Sequence, residues 1–143
     1  MATTVTSADL TVTISTAITL NGQSINSENQ LVIEDINEFD KRIMSIPTSS
    51  EVAVVAFGTQ VAAGTFIRGD MKYFQVTNLD AVNYVRIRMK KNGADTFDQR
   101  LDAGKTMMIG NTKLSVSASA AAFSTFVDAD SISAQADTAA VDI

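Results

Sequence analysis

Cysteine and histidine are both absent from the 143 residues, and few other facts exclude as much chemistry. Without cysteine there is no disulfide framework and no thiolate nucleophile. Without histidine the commonest general base near neutral pH and the commonest transition-metal ligand are gone as well. Ser-His-Asp and Cys-His catalysis are therefore excluded, as are zinc sites of the Cys/His kind. Tryptophan is also missing, tyrosine occurs twice and aromatic residues make up only 6%, which leaves few of the amphipathic ring platforms that sugar sites favour. No lysine or arginine precedes Lys41, so no positive segment leads an apolar stretch in the manner of a secretory signal. The longest strongly apolar run, residues 52–57, is far short of the roughly 20 residues that span a bilayer. A chain made in soluble form in the cytoplasm, with no membrane partner, is expected.

Charge is scarce too. Charged residues are 19% of the chain and apolar residues 45%, against roughly 25% charged in average proteins. Thr, Ser, Asn and Ala fill the gap, as on a lightly charged surface of an ordered protein. The length suits one domain with a real core. The net charge of −5 is unevenly spread: residues 1–40 hold six acids and no base, residues 41–113 hold all eleven bases against six acids, and residues 114–143 hold four acids and no base. Acidic ends and a basic middle complement one another either within one fold or between neighbouring copies.

What is present reads as β-structure. Over residues 9–20, Leu10, Val12 and Ile14 alternate with Thr11, Thr13 and Ser15, Ile18 and Leu20 keep the same register, and Asn21-Gly22 supplies a strong hairpin signal. Residues 31–46 are ambiguous. As a strand they slip phase near Phe39, which a bulge or an edge position explains, but Val32, Ile36, Phe39 and Ile43 also fit a short helix. Pro47 closes this segment in a loop. The Val-rich residues 51–57 suit a buried central strand. Short strands follow at residues 64–68, 71–77, 82–90, 96–101 and 105–109, punctuated by Arg68-Gly69-Asp70, Asn78-Leu79-Asp80, Asn92-Gly93 and Asp102-Ala103-Gly104. Fifteen of the residues 114–143 are Ala or Ser, with weak β propensity; this stretch reads as a loop with one or two strands or an extended arm, with Val141 and Ile143 in a final strand.

The pattern predicts an all-β fold: a jelly-roll-like β-sandwich of about eight antiparallel strands with a Ser/Ala-rich C-terminal arm. The expected organisation is a flexible N-terminal arm at 1–8, a sandwich core at 9–114, and a segment at 115–143 that completes the sandwich or contacts neighbours.

Four constellations carry potential chemistry. Arg68-Gly69-Asp70 matches the integrin-binding tripeptide, but glycine has an ordinary role in a turn between two strands. Tyr84, Arg86, Arg88, Lys90 and Lys91 form a basic stripe, yet a pI near 4.5 opposes sequence-independent nucleic-acid binding; the stripe reads as a solvated face or a protein interface. The carboxylates Glu34, Asp35, Glu38 and Asp40, and Asp128 with Asp130, lack the spacing of a calcium loop, although the second pair has the form to hold one cation at a loop or interface. Sixteen acids on a β-fold always allow an imagined glycosidase pair, so that signal has no specificity. No phosphate-binding glycine loop and no nucleophile elbow occurs. No catalytic residue, cofactor or metal is expected, and the chain reads as not an enzyme. The candidate interface consists of Tyr84, Arg86, Arg88, Lys90, Lys91, Phe123 and Phe126.

A family resemblance accompanies these features. It is carried by Thr19-Leu20-Asn21-Gly22, Ile36-Asn37-Glu38, Lys41-Arg42-Ile43-Met44, residues 62–70, Thr77-Asn78-Leu79-Asp80, Leu101-Asp102-Ala103-Gly104 and residues 133–142. In these turn and strand signatures the chain resembles small virion structural proteins of marine tailed phages. The resemblance implies a capsid decoration (cement) protein in the virion. Its partners would be the major capsid protein and copies of itself, in a homo-oligomer for which a trimer is one arrangement. A tail, collar or fibre-adaptor component is the alternative, and a receptor- or carbohydrate-binding β-sandwich module is the next. No functional residue comes with the resemblance, which contains no chemical motif.

Overall fold

The computed structural model describes residues 6–60, 65–91, 94–111, 113–117 and 126–143. Among these the chain is all β-strand and turn, as the alternation predicts, with no helix. The helical alternative for residues 31–46 is overturned. Residues 37–44 take neither regular form, and Phe39 and Ile43 stay exposed, so no second element meets them to reward helical spacing. The chain divides into two compact units, 1–41 and 42–143. The first β-rich stretch is thus a unit of its own and not the opening of a core that runs from residue 9 to 114.

The first unit is one long hairpin. Strand β1 (Ala8–Leu20) pairs antiparallel with β2 (Gln23–Ile36) from Leu20↔Gln23 back to Ala8↔Ile36. Asn21 and Gly22 have φ of 50° and 79°, the two left-handed residues a type I′ turn requires, and they match the right-handed twist of the flanking strands. A register shift between Ala8 and Leu10, together with the left-handed Asp35 (φ 57°), marks a bulge near the open end. The phase slip expected near Phe39 falls past the end of β2, in residues 37–44, which form no strand.

The second unit contains β3 (Ser45–Ile46), β4 (Val52–Gly58), β5 (Phe66–Ile67), β6 (Tyr73–Thr77), β7 (Val85–Lys91), β8 (Ala94–Leu101), β9 (Thr106–Gly110), β10 (Ser115–Val116), β11 (Val127–Asp128), β12 (Ser131–Ala136) and β13 (Val141–Asp142). Its main sheet has the order β5-β4-β12-β7-β8; β6 pairs β9, β3 pairs β13 and β10 pairs β11. The strands are therefore more numerous and shorter than the eight expected, and no sheet closes on itself. One pairing, β4 with β5, is parallel and not antiparallel.

The inward face of the main sheet explains its sequence. Val85, Ile87 and Met89 of β7 sit opposite Ala136, Ala134 and Ile132 of β12, all of them buried. At Val85 and Ile87 a larger side chain on β7 is matched by alanine on β12, and at the third pair Met89 packs beside Ile132. The same core takes in Phe74 and Val76 of β6, Ile46 and Val141 of the β3–β13 pair, and Leu114 and Val116. The Ser/Ala-rich segment thus supplies the central strand of the sheet, where its small residues fit. Residue Ile143 is tied in by paired backbone bonds with Met44, Ile143 N to Met44 O at 2.9 Å and Met44 N to Ile143 O at 3.0 Å.

Candidate protein–protein interface

Two surfaces stand out, one in each unit. In the second unit, the outward face of the main sheet carries the basic stripe that the sequence singles out. Alternation along β7 turns Arg86, Arg88 and Lys90 away from the core while Val85, Ile87 and Met89 turn into it. Register then sets their partners. Arg88 faces Asp98 on β8 and Ser133 on β12. Its Nε and Nη2 donate to the two Asp98 oxygens at 2.7 and 2.8 Å, and Nη1 donates to Glu51 Oε2 at 2.8 Å. Glu51 also receives Lys90 Nζ and the Ser133 hydroxyl. Arg86 donates to Gln135 Oε1 at 2.8 Å, and Lys91 lies 3.5 Å from Asp130. Tyr84, at the start of the stripe, has the Arg100 guanidinium stacked 4.0 Å from its ring centre.

These contacts hold the carboxylates ionised. Arg88 beside Asp98 keeps that carboxyl below its ordinary range, against a smaller opposing effect of burial. Burial by itself raises Glu51, but hydrogen bonds from Lys90 and Ser133 and the charges of Lys90 and Arg88 outweigh it, leaving the group low. Hydrogen bonding to Asp137, with its charge, raises the Tyr84 hydroxyl. The acids at 114–143 join the same pattern. Asp130 pairs with Arg68 at 2.6 Å and Asp128 with Lys113 at 2.6 Å, so side-chain cations occupy the place sketched for a metal at Asp128 and Asp130. Hydrogen bonding from Lys113 lowers the Asp128 carboxyl. Among the described residues, no three acidic side chains come together in a metal-binding group.

Arg68-Gly69-Asp70 forms a turn, closed by Asp70 N donating to Ile67 O at 3.2 Å. Gly69 has φ of 86°, and a Cβ there would lie 3.0 Å from Asp128 Oδ2. Phe126 is 62% exposed; Phe123 and the Asn92-Gly93 turn lie outside the described residues. A shallow apolar depression beside Phe74, Ile109 and Leu114 has essentially no enclosed volume, against the roughly 300–1,000 Å³ of small-molecule sites.

The second surface, in the hairpin, is one that sequence reasoning missed. Residues paired across an antiparallel ladder share a face. One face of the hairpin therefore carries Leu10 with Ile33, Val12 with Leu31, Ile14 with Asn29, Thr16 with Ser27, Ile18 with Ile25, and Leu20 with Gln23. Eight of these twelve are large and apolar, and none is charged. The opposite face carries Thr11, Thr13, Ser15, Thr19, Ser24, Asn26, Glu28 and Gln30, with Ala17 and the exposed Val32 as its apolar members. Exposure on the apolar face rises toward the turn, from 6% at Ile33 to 55% at Ile18, 61% at Leu20 and 62% at Ile25. The signal in the sequence was the even register of β1; what hid it was the polar run Gln23-Ser24-Ile25-Asn26-Ser27-Glu28-Asn29-Gln30, which alternates too weakly to read as a partner strand.

No family model, curated protein or solved structure matches this chain.

Proposed function

We propose that the chain is a structural subunit of a tailed-phage particle, a decoration (cement) protein held to the shell by protein–protein contacts, and not an enzyme. The observation that carries this reading is the hairpin: an amphipathic two-stranded sheet of this length has little stability alone in water, so its apolar face is made to be covered. Unit 42–143, read as a small open β-sandwich, supports it. Its outward charges are matched internally, which gives a rigid surface and leaves no converging reactive groups. A chain with neither histidine nor cysteine also lacks the usual nucleophile–base pairs. The virion is the proposed location, with the major capsid protein and further copies of the chain as partners. A partner that meets the basic stripe has to compete with the Arg88–Asp98 and Lys90–Glu51 pairs, so its binding weakens with salt less than that of a bare basic patch.

The experiment is to purify particles of the phage that encodes the chain, count the copies by quantitative mass spectrometry and locate them by electron cryomicroscopy. On the order of hundreds of copies across the shell supports decoration, as icosahedral symmetry requires. Roughly six to twelve copies at one vertex or ring would move the protein to the tail or collar. Absence from washed particles would overturn the reading.

A further inference from the structure

We infer that the Lys41–Arg42 peptide bond is a processing site, at which an endoprotease selective for basic side chains separates residues 1–41 from unit 42–143. It stands apart from the virion reading, because the chain alone carries the features that such a protease recognises.

A protease draws several consecutive residues into its cleft in extended form, which a strand held in a ladder cannot supply without opening. Residues 37–44 belong to no strand, and residues 37–43 are all exposed. Lys41 and Arg42 are the first two bases of the chain, and the two compact units divide between them. Phe39 and Ile43, 70% and 74% exposed, place apolar side chains to either side for the neighbouring pockets of the cleft. Arg42 Nη2 donates to the Val54 carbonyl, and Met44 exchanges two backbone hydrogen bonds with Ile143. The chain is thus fastened from Arg42 onward, and Lys41 is the base offered to an acidic specificity pocket.

The other bases are poor competitors. Arg86, Arg88, Lys90 and Lys91 lie on β7, between β12 and β8 in the sheet, and Arg100 lies on β8. Arg68 N donates to Gly58 O at 2.7 Å, Lys72 O accepts from Asn111 N at 2.9 Å, and Lys105 N donates to Asp102 O at 3.1 Å. The Lys113 side chain is engaged by Asp128 at 2.6 Å. A cut at any of these needs local opening first.

Hydrolysis adds one water across the bond. Its oxygen goes to the Lys41 carbonyl carbon, the C–N bond breaks, and the Arg42 nitrogen leaves as a protonated amine. No ladder is lost, because β1 pairs with β2 and the pairings of residues 45–142 lie within unit 42–143. What changes is charge. Residues 1–41 hold six acids against Lys41 alone, a net of −5, while residues 42–143 hold ten acids and ten bases. The cut therefore parts unit 42–143 from the whole net charge of the chain, and with it from the repulsion that keeps like-charged molecules apart. All the excess charge is carried by a segment joined to the rest through one exposed basic junction.

The test is limited digestion of the full chain with trypsin at neutral pH, followed by intact-mass spectrometry. The first products expected are residues 1–41 and 42–143, the second persisting after the intact chain is gone. R42Q should be cut like the wild type, and K41Q roughly tenfold more slowly or worse, since the pocket then meets an uncharged side chain. Both tyrosines, Tyr73 and Tyr84, lie in unit 42–143, so tyrosine fluorescence follows that unit alone. The 42–143 product should keep the denaturation midpoint of the intact chain and leave an anion exchanger before it. In cells that make the protein, N-terminal sequencing should find a form beginning at Arg42. A first cut at Lys72, Lys105 or Lys113, a K41Q chain cut as fast as the wild type, or only intact chain in those cells overturns the inference. None of these readouts involves shell protein, so a cleaved chain absent from particles refutes the virion reading alone, and an uncleaved chain bound to particles refutes the processing site alone.

Discussion

Arg88 and Asp98 face each other across the β7–β8 ladder, with two guanidinium nitrogens 2.7 and 2.8 Å from the two carboxylate oxygens. The guanidinium is largely shielded, its side chain 15% exposed, while the carboxylate is 40% exposed. The pair makes the stability of unit 42–143 depend on pH. The Asp98 and Glu51 carboxyls both lie low in the folded state, so the unfolded chain binds protons more readily. Their contribution is complete above the ordinary carboxylate range near pH 4 and is lost as pH falls through the lowered values. Denaturation midpoints are expected to be flat from pH 7 to about 5 and to fall below about 4. D98N should cost about 1 kcal/mol at pH 7, allowing for screening at the exposed carboxylate, and the gap to wild type should close toward pH 3. A gap that widens in acid would contradict the assignment.

Ala134 is fully buried between Ile87 on β7 and the β4 strand. A134L puts three more carbons into a filled layer and should destabilise unit 42–143 by about 1–3 kcal/mol through overpacking. I132A, at a position equally buried, should cost about 2–5 kcal/mol by leaving a cavity. Urea denaturation followed by tyrosine fluorescence measures both. If A134L is neutral, the matching of large to small residues across β7 and β12 is not what places the Ala-rich strand at the centre.

Asn78 is a polar side chain with no exposed surface. Its amide donates to the carbonyls of Asn83 and Leu101 at 2.9 and 3.0 Å, and its oxygen accepts from Asp80 N at 2.9 Å. Asp80 in turn takes the backbone N–H groups of Asn83 and Val82, which hold its carboxyl low. N78A leaves three backbone groups unpaired, at about 1–3 kcal/mol for each one kept from water. N78D should be at least as damaging, since it turns a carboxylate oxygen toward two carbonyls. Thermal melts of the two variants compare them directly.

Gly22 and Gly69 both have left-handed φ, 79° and 86°, but a Cβ at Gly22 meets open space while one at Gly69 meets Asp128 at 3.0 Å. G22A should cost about 1 kcal/mol, the backbone penalty alone. G69A should cost more, because the Asp128 carboxylate that pairs with Lys113 must also shift. Equal losses in a denaturation comparison would mean that the Asp128 contact carries no weight.

Some of this was plain in the sequence and some was not. The even register of Leu10 to Leu20, the Asn21-Gly22 turn, the Val-rich β4 and the alternation of β7 all appear where local pattern predicts them. Two strands did not announce themselves. β2 begins directly after the turn with seven residues of which only Ile25 is apolar; it is a strand because β1 pairs with it, and pairing is a long-range fact. β12 is built mostly of Ser, Ala and Gln, with Ile132 its single strong strand former, and its place is set by the bulk of Ile87 and Met89 beside it. The basic residues of the interface were visible as a stripe, but their acidic partners come from residues as distant as Glu51, Asp98 and Asp130. Spacing along one strand cannot reveal those partners.

The position of β12 between β4 and β7 has a further effect on how the molecule comes into being. Residues 52–58 and 85–91 leave the ribosome well before residues 131–136, and they share no ladder with each other. Until Ser131 emerges, the inner margins of both strands wait for the same late-arriving segment, and a chain halted before that point has no means of joining them. Assembly of the main sheet of unit 42–143 therefore waits on the arrival of Ser131–Ala136, a late segment that both strands need.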